Sequence, residues 1–238
     1  MQAYRCEADV IAGLEPFARE EIARLGGRDV RIVRPGALQF TAADLRSLLQ
    51  SKTALAIYLL ERFDVPRPKA LLGDQHLRAV LAQTDAILAL MPRGTYRTFM
   101  LGAAGSGSTV MARLKTELAR HTGLREVDEE GELLIRVRPS PHCPSPVARS
   151  RLLAPEAQHQ SEAGSREEPQ VGSRKRTGWD VLVRISPRPL ATRDWRVCDV
   201  EGTLQATVAH VMALLTRPAA DDVYLNLGCG SGTLLIER

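Results

Sequence analysis

The sequence predicts an α+β fold, and three observations carry it. Short β-type runs alternate with amphipathic helical runs over about the first ninety residues. A second strand, glycine loop and helix open near Pro92-Arg93-Gly94. The final residues pass from helical spacing through an apolar run into a glycine-rich turn.

In chain order, residues 4–10 have strand character. Pro16 suits a first helical turn, where its missing N–H costs nothing. Leu14, Phe17, Ile22 and Leu25 then recur at helical spacing, and Gly26-Gly27 end the run. Residues 30–33 and 38–40 read as short strands around the Pro35-Gly36 turn, and residues 44–49 as a short helix. Residues 54–63 form a strand apolar on both faces, hence one buried on both. Pro66 and Pro68 break it, and Leu77, Val80 and Leu81 mark another helix.

In the second unit, residues 95–101 read as a strand and residues 102–108 as a glycine-rich loop. Residues 109–121 read as an amphipathic helix with Met111, Leu114 and Leu118 inward, Arg113, Lys115 and Arg120 outward, and Gly123 as its cap. Residues 132–138 alternate as a strand, with 179–185 as the expected sheet mate. Between them, about 139–178, six prolines and a polar, charged composition predict a disordered insertion, because little apolar surface is available to offset ordering entropy. Arg174-Lys175-Arg176 at its end reads first as a solvated charge run and second as a phosphate contact. Leu204, Val208, Val211, Met212 and Leu215 predict a helix, and residues 222–227 a strand leading into Gly228-Cys229-Gly230-Ser231-Gly232-Thr233.

Composition narrows the classes. The 238 residues include 32 basic and 28 acidic side chains, a net charge of +4, which permits an anionic partner without demanding one. Only Lys52, Lys69, Lys115 and Lys175 are lysine; the other basic residues are arginine, as codon bias or bidentate phosphate recognition would each give. Aromatic residues make up 4%, too few for long base-stacking platforms. No apolar run reaches about 18 residues, and residues 1–7 lack the apolar core of a secretion signal, so no membrane partner and a cytoplasmic location are expected. Cys6, Cys143, Cys198 and Cys229 form no CxxC pair, so neither a structural zinc site nor a disulfide is expected. His76, His121 and His210 fall on predicted helices, where structural roles are expected.

The chemistry lies in Gly228-x-Gly230-x-Gly232 between strand and helix. Glycines let the backbone approach a ligand, and the helix N-terminus offers unpaired N–H groups. A phosphate-binding loop would need a lysine after Gly232, and a dinucleotide loop a glycine at 233; Thr233 stands there instead. The remaining spacing fits S-adenosylmethionine, and equally a tight turn with no ligand.

Leu225-Asn226-Leu227-Gly228-Cys229-Gly230-Ser231-Gly232-Thr233 resembles the D-P-F-C-G-S-G-T motif of RNA methyltransferases that carry a THUMP domain. Ser186-Pro187-Arg188-Pro189-Leu190 with Arg193 resembles that family's S-x-R-P-L-x-x-R element, and Gly202-Thr203-Leu204 the stretch opening the helix before its first methyltransferase strand. Residues 179–183 look like its last THUMP strand. Gly13-Leu14-Glu15-Pro16 with Glu20-Glu21-Ile22 resembles its N-terminal G-L-E element. The resemblance implies a ferredoxin-like N-terminal domain (1–92), a THUMP RNA-binding α/β domain (93–190) and the start of a Rossmann-like methyltransferase domain (191–238). It implies methylation of guanine N2 in structured RNA, tRNA or rRNA, with S-adenosylmethionine as cofactor. Asn226, Gly228, Cys229, Gly230, Ser231, Gly232, Thr233, Thr203 and Leu204 would hold the cofactor; Arg97, Arg113, Lys115 and Arg120 would contact RNA.

Two departures matter. Asn226 stands where the family has aspartate, and no Pro-Pro dipeptide occurs, so the family's N/D-P-P-Y/F/W catalytic motif is absent from these 238 residues. The ribose-binding carboxylate expected after the next strand is likewise absent. The expectation is therefore a truncated methyltransferase without turnover of its own and with no catalytic residue to name. The alternatives are a non-catalytic THUMP-type RNA-binding module and, more remotely, a nucleotide-binding oxidoreductase fragment.

Overall fold

The computed structural model describes residues 3–103, 107–140, 178–197 and 201–238. Residues 104–106 of the expected glycine loop, nearly all of the expected insertion with Arg174-Lys175-Arg176, and Cys143 and Cys198 lie outside the described residues.

The fold is mixed α/β, centred on an eight-stranded sheet. The strands are β1 (Tyr4–Asp9), β2 (Gly27–Arg34), β3 (Ala37–Ala42), β4 (Ala56–Phe63), β5 (Thr98–Ala103), β6 (Arg125–Glu126), β7 (Leu133–Pro139) and β8 (Trp179–Arg184). Their spatial order is β2-β3-β1-β4-β8-β7-β5-β6. Neighbours run antiparallel except β5 with β7 and β5 with β6. The expected partnership of β7 and β8 is present, Ile135 opposite Val183 and Val137 opposite Val181. Beyond that expectation, β8 also pairs with β4, from Tyr58 opposite Arg184 to Phe63 opposite Trp179. One sheet thus runs through both halves of the chain.

Helices α1 (Glu15–Arg24), α2 (Asp74–Leu88) and α3 (Thr109–Thr122) cover one face of this sheet. Ala18 and Ile22 of α1, Val80 and Ile87 of α2, and Met111, Leu114 and Leu118 of α3 share one buried core with Cys6, Leu38, Ile57, Leu59, Ile135 and Val183. The other face holds a smaller cluster with no helical member: Ala56, Tyr58, Leu60, Leu134 and Leu182. β4 is buried on both faces because Ile57 and Leu59 face the helices while Tyr58 and Leu60 face away. Buried Gln83 of α2 stitches the central seam, donating from Nε2 to the carbonyls of Leu59 (2.7 Å) and Val181 (3.2 Å).

Local chemistry sets the ends of these elements. Pro16 lies in the first turn of α1, and the Glu15 carboxylate accepts the N–H groups of Gly13 and Gly36, each at 2.7 Å. The Gly36 contact is the main reason its carboxyl sits below the usual range. Ser108 caps α3, and Gly123 ends it at φ +70°, the left-handed conformation glycine adopts without a Cβ clash.

Two expectations are corrected and one is filled in. The helix expected over 44–49 is a 3-10 turn at Ser47–Gln50, because the Asp44 carboxylate holds the N–H groups of Arg46 and Ser47 ahead of it. The helix expected from Leu204, Val208, Val211, Met212 and Leu215 is present as α4 (Ala206–Leu215); it buries Ala206, Ala209, Val211 and Ala213, while Met212 and Leu215 are exposed, with Leu204 exposed just ahead of it. Its small side chains allow close approach to α5 (Thr233–Glu237), so packing follows them rather than the larger apolar residues. The strand expected over 222–227 does not form: residues 222–226 are irregular and Leu227 opens a turn, with no described strand paired beside them; Val223 is 98% and Leu227 91% exposed.

Candidate functional site

The glycine loop enters α5 through a tight turn. The Gly232 N–H donates to the Cys229 carbonyl at 2.8 Å, and Gly232 takes φ +74° at the helix N-cap. A Cβ on Gly228 or Gly230 would meet no atom within 4 Å, and Gly228, Cys229, Gly230 and Ser231 are exposed. The backbone here is therefore open to a ligand from one side. Asn226 is half-buried, and its side chain makes no hydrogen bond among the described residues.

Residues distant in sequence converge on this loop. Thr233 is buried, and its Oγ1 lies 2.9 Å from Ser231 Oγ. Arg196 donates from Nη2 to Thr233 Oγ1 (3.1 Å) and to the Leu204 carbonyl (3.0 Å). Leu204 is thus tied through Arg196 to Thr233 at the end of the loop. Sequence reading did not single out Arg196; its position three residues after Arg193, in a stretch with little helical or strand periodicity, was the only signal.

The far end of α5 is anchored more strongly. Glu237 is buried and accepts Arg193 Nε at 2.6 Å. Arg193 also donates to the carbonyls of Leu190 (2.6 Å) and Lys52 (2.7 Å). His210 Nδ1 of α4 lies 3.1 Å from the Glu237 carbonyl. A groove of about 600 Å³ opens at this junction, lined by residues including Lys52, Pro189, Trp195 and Ile236. It adjoins the anchored end of α5 and includes no glycine-loop residue, so it is a cleft between segments rather than the cofactor loop's own pocket.

The expected RNA-contacting residues separate into two kinds. Arg97 and Arg113 have exposed side chains without ion-pair partners among the described residues. Lys115 is half-buried and paired with Glu126 at 2.6 Å, and Arg120 pairs with Glu117 one turn away. Their charges are partly neutralised where they stand. Among the described histidines, His76 bonds the Ala70 carbonyl and His121 the Asp85 carboxylate. Burial pushes the Cys6 thiol up to about 12, whereas Cys229 is exposed on the loop. Among the described residues no group of three or more His, Cys, Asp or Glu side chains is placed to hold a metal ion, and no helix is long and apolar enough to cross a membrane.

The fold and the glycine loop are similar to those of methylases. Residues 193–238, the stretch holding Arg193, Arg196, the glycine loop and α5, match the UPF0020 family model, described as an RMKL-like methyltransferase domain. Among curated proteins, no sequence matches this chain. The whole chain resembles solved structures in fold. TrmN from Thermus thermophilus superposes with TM-score 0.58 at 19% identity, over 99% of this chain and 61% of TrmN. SMU.472, a putative methyltransferase complexed with SAH, gives 0.56 at 15% identity, over 100% and 55%. A predicted N6-adenine-specific DNA methylase from Listeria monocytogenes gives 0.53 at 18%, over 100% and 55%. The chain thus spans 55% to 61% of the length of these structures.

Proposed function

We propose that this chain supplies the RNA-gripping part and first cofactor loop of an S-adenosylmethionine-dependent RNA methyltransferase acting on guanine N2 of tRNA or rRNA. The observation that carries the reading is the coincidence at residues 193–238. The methyltransferase family match falls where the structure assembles an open glycine loop, a buried Thr233 and the Arg196 tie to Leu204. In this reading residues 1–92 are ferredoxin-like, residues 93–190 are the THUMP unit with its insertion, residues 191–238 begin the Rossmann-like domain, and the protein acts in the cytoplasm.

The donor set fits one side of an S-adenosylmethionine site. Exposed backbone N–H groups at Gly228, Cys229 and Gly230 would hold the ligand's amino-acid end, and the Thr203-Leu204 stretch would border it. The bound cofactor would supply the methyl group. No Pro-Pro dipeptide, and so no N/D-P-P-Y/F/W motif, occurs among the 238 residues. Ligand pockets normally enclose most of the ligand surface, so this half-site binds the cofactor weakly on its own.

Isothermal titration with S-adenosylmethionine and a tritiated-methyl transfer assay on bulk tRNA test the reading, with duplex DNA as a second acceptor. RNA binding, weak cofactor binding and no transfer by the 238 residues are expected. Turnover by this chain itself, or a preference for DNA over RNA, overturns it. A non-catalytic RNA-binding module is the second reading; the exposure of Gly228 to Ser231 favours it, and complete absence of cofactor binding would select it.

A further inference from the structure

The face of the sheet opposite the helices carries an uneven charge. Strand register places Arg5, Glu7 and Asp9 of β1 on this face with Gln39 and Thr41 of β3. Tyr58 and Arg62 of β4, Asp180 and Arg184 of β8, and Arg136 and Arg138 of β7 continue it. Edge strand β2 adds Arg28, Arg31 and Arg34, opposite Thr41, Gln39 and Ala37. On these six strands eight guanidinium groups thus stand against three carboxylates, an excess of five positive charges among the residues named.

The arrangement on β2 is not what a regular strand would give. Side chains alternate with period two, so residues 28 and 31 would point to opposite faces. Two register shifts, between Arg28 and Arg31 and between Ile32 and Arg34, each add one residue to β2. Asp29 sits in the first at φ +53°, an uncommon conformation for a residue other than glycine. These bulges return all three arginines to the helix-free face while Ile32 still opposes Leu38, a core residue.

The carboxylates hold the middle of the face and leave one end unneutralised. Glu7 takes Arg34 and Arg138, Asp9 takes Arg136, and Asp180 takes Arg62. Arg5, Arg28 and Arg31 are exposed and have no ion-pair partner among the described residues. Arg5 and Arg28 lie in line across Thr41, about 10 Å apart at the usual strand spacing. A flat, open row of forked donors suits an anion that runs along it more than one enclosed in a cradle.

We infer that this end of the helix-free sheet face, Arg5 with Arg28 and Arg31, is a contact surface for the RNA phosphate backbone, separate from the outer face of α3. The inference rests on the RNA-acting reading above and adds the surface that reading lacks.

The test is a fluorescence titration of bulk tRNA across a salt series, with three proteins: the parent chain, an Arg5→Gln, Arg28→Gln, Arg31→Gln variant, and an Arg19→Gln, Arg67→Gln, Arg93→Gln control. The control removes the same charge from exposed positions on α1, after β4 and before β5. Thermal melting of all three checks that the sheet is intact. Each lost phosphate contact flattens the slope of log K against log salt by about 0.7 to 0.9, so the sheet-face variant should lose roughly 2 to 2.7 in slope and the control far less. Equal losses in the two variants show only net charge and overturn the surface. So does parent-like binding by the sheet-face variant. A parent chain that binds no RNA overturns the proposed function itself, and this surface with it.

Discussion

Glu21 shows how a single buried charge can be stabilising. Its carboxylate accepts the hydroxyls of Ser51 and Thr53 and the N–H groups of Lys52 and Thr53, closing the chain after the 3-10 turn onto α1. Burial opposes its ionisation, but these donors together outweigh burial and hold its carboxyl below the usual range. A carboxyl with a depressed folded pKa adds stability that is full above its unfolded value, near 4.5, and is lost as pH falls through the folded one. Glu21→Gln turns two of four acceptor directions into donors facing donors, so it should cost about 2 kcal/mol at pH 7. Its denaturation midpoint should also fall less steeply than the parent's as pH drops below about 4.5. Urea titrations of both proteins at pH 7 and at acid pH measure this; parallel pH profiles would show that Glu21 is not held ionised.

At the scale of elements, ends were easier to read from sequence than faces. Pro16, Gly123 and the doubly apolar β4 announce themselves, because proline, glycine and burial on two sides each restrict the backbone or the composition locally. Gly123→Ala is a direct measure: a Cβ there meets nothing within 4 Å, so only the left-handed φ is penalised, and about 1 kcal/mol should be lost in chemical denaturation. The pairing of β4 with β8 was not legible, since it joins residues more than a hundred apart, and two-residue β6 is too short for any periodicity. The contact face of α4 was not legible, because alanines make the contact and carry little weight in a helical pattern of large apolar residues. The bulged arginines of β2 were invisible for the same kind of reason, spacing three in an element of period two. For the site, the glycines were legible as a backbone device. The support of α5 was not, because Arg193 reaches carbonyls, which carry no sequence signature. Arg193→Ala should leave buried Glu237 with only His210 Nδ1, at 3.6 Å, beside its carboxylate and loosen α5. Hydrogen exchange should then speed up by tenfold or more for amides of residues 232–237 while those of α2 and α3 stay unchanged; uniform exchange across all three helices would show that Arg193 supports the whole fold instead.

The molecule as a whole is organised by what its one sheet joins and what it leaves bare. Arg138 of β7 donates to Glu7 of β1 and lies near Asp180 of β8, so one guanidinium ties strands from both halves of the chain. Arg138→Met leaves two fully buried carboxylates short of a partner and should cost about 3 kcal/mol, lowering a single melting transition rather than splitting it, because the sheet is continuous. The opposite situation holds beyond the sheet. Val223, Leu225 and Leu227 stand 98%, 77% and 91% exposed on irregular backbone, and Leu215 of α4 is 64% exposed. Exposed apolar patches promote association, and backbone outside any ladder is free to pair with another strand. Sedimentation velocity over a hundredfold range of concentration should therefore show this chain self-associating. A Val223→Lys, Leu225→Lys, Leu227→Lys variant should stay monomeric, because a row of lysines repels its copy and blunts the edge. The substituted residues touch no core cluster, so melting should be unchanged. A parent chain that stays monomeric at the highest concentration would show that this row is covered in solution by the chain's own residues.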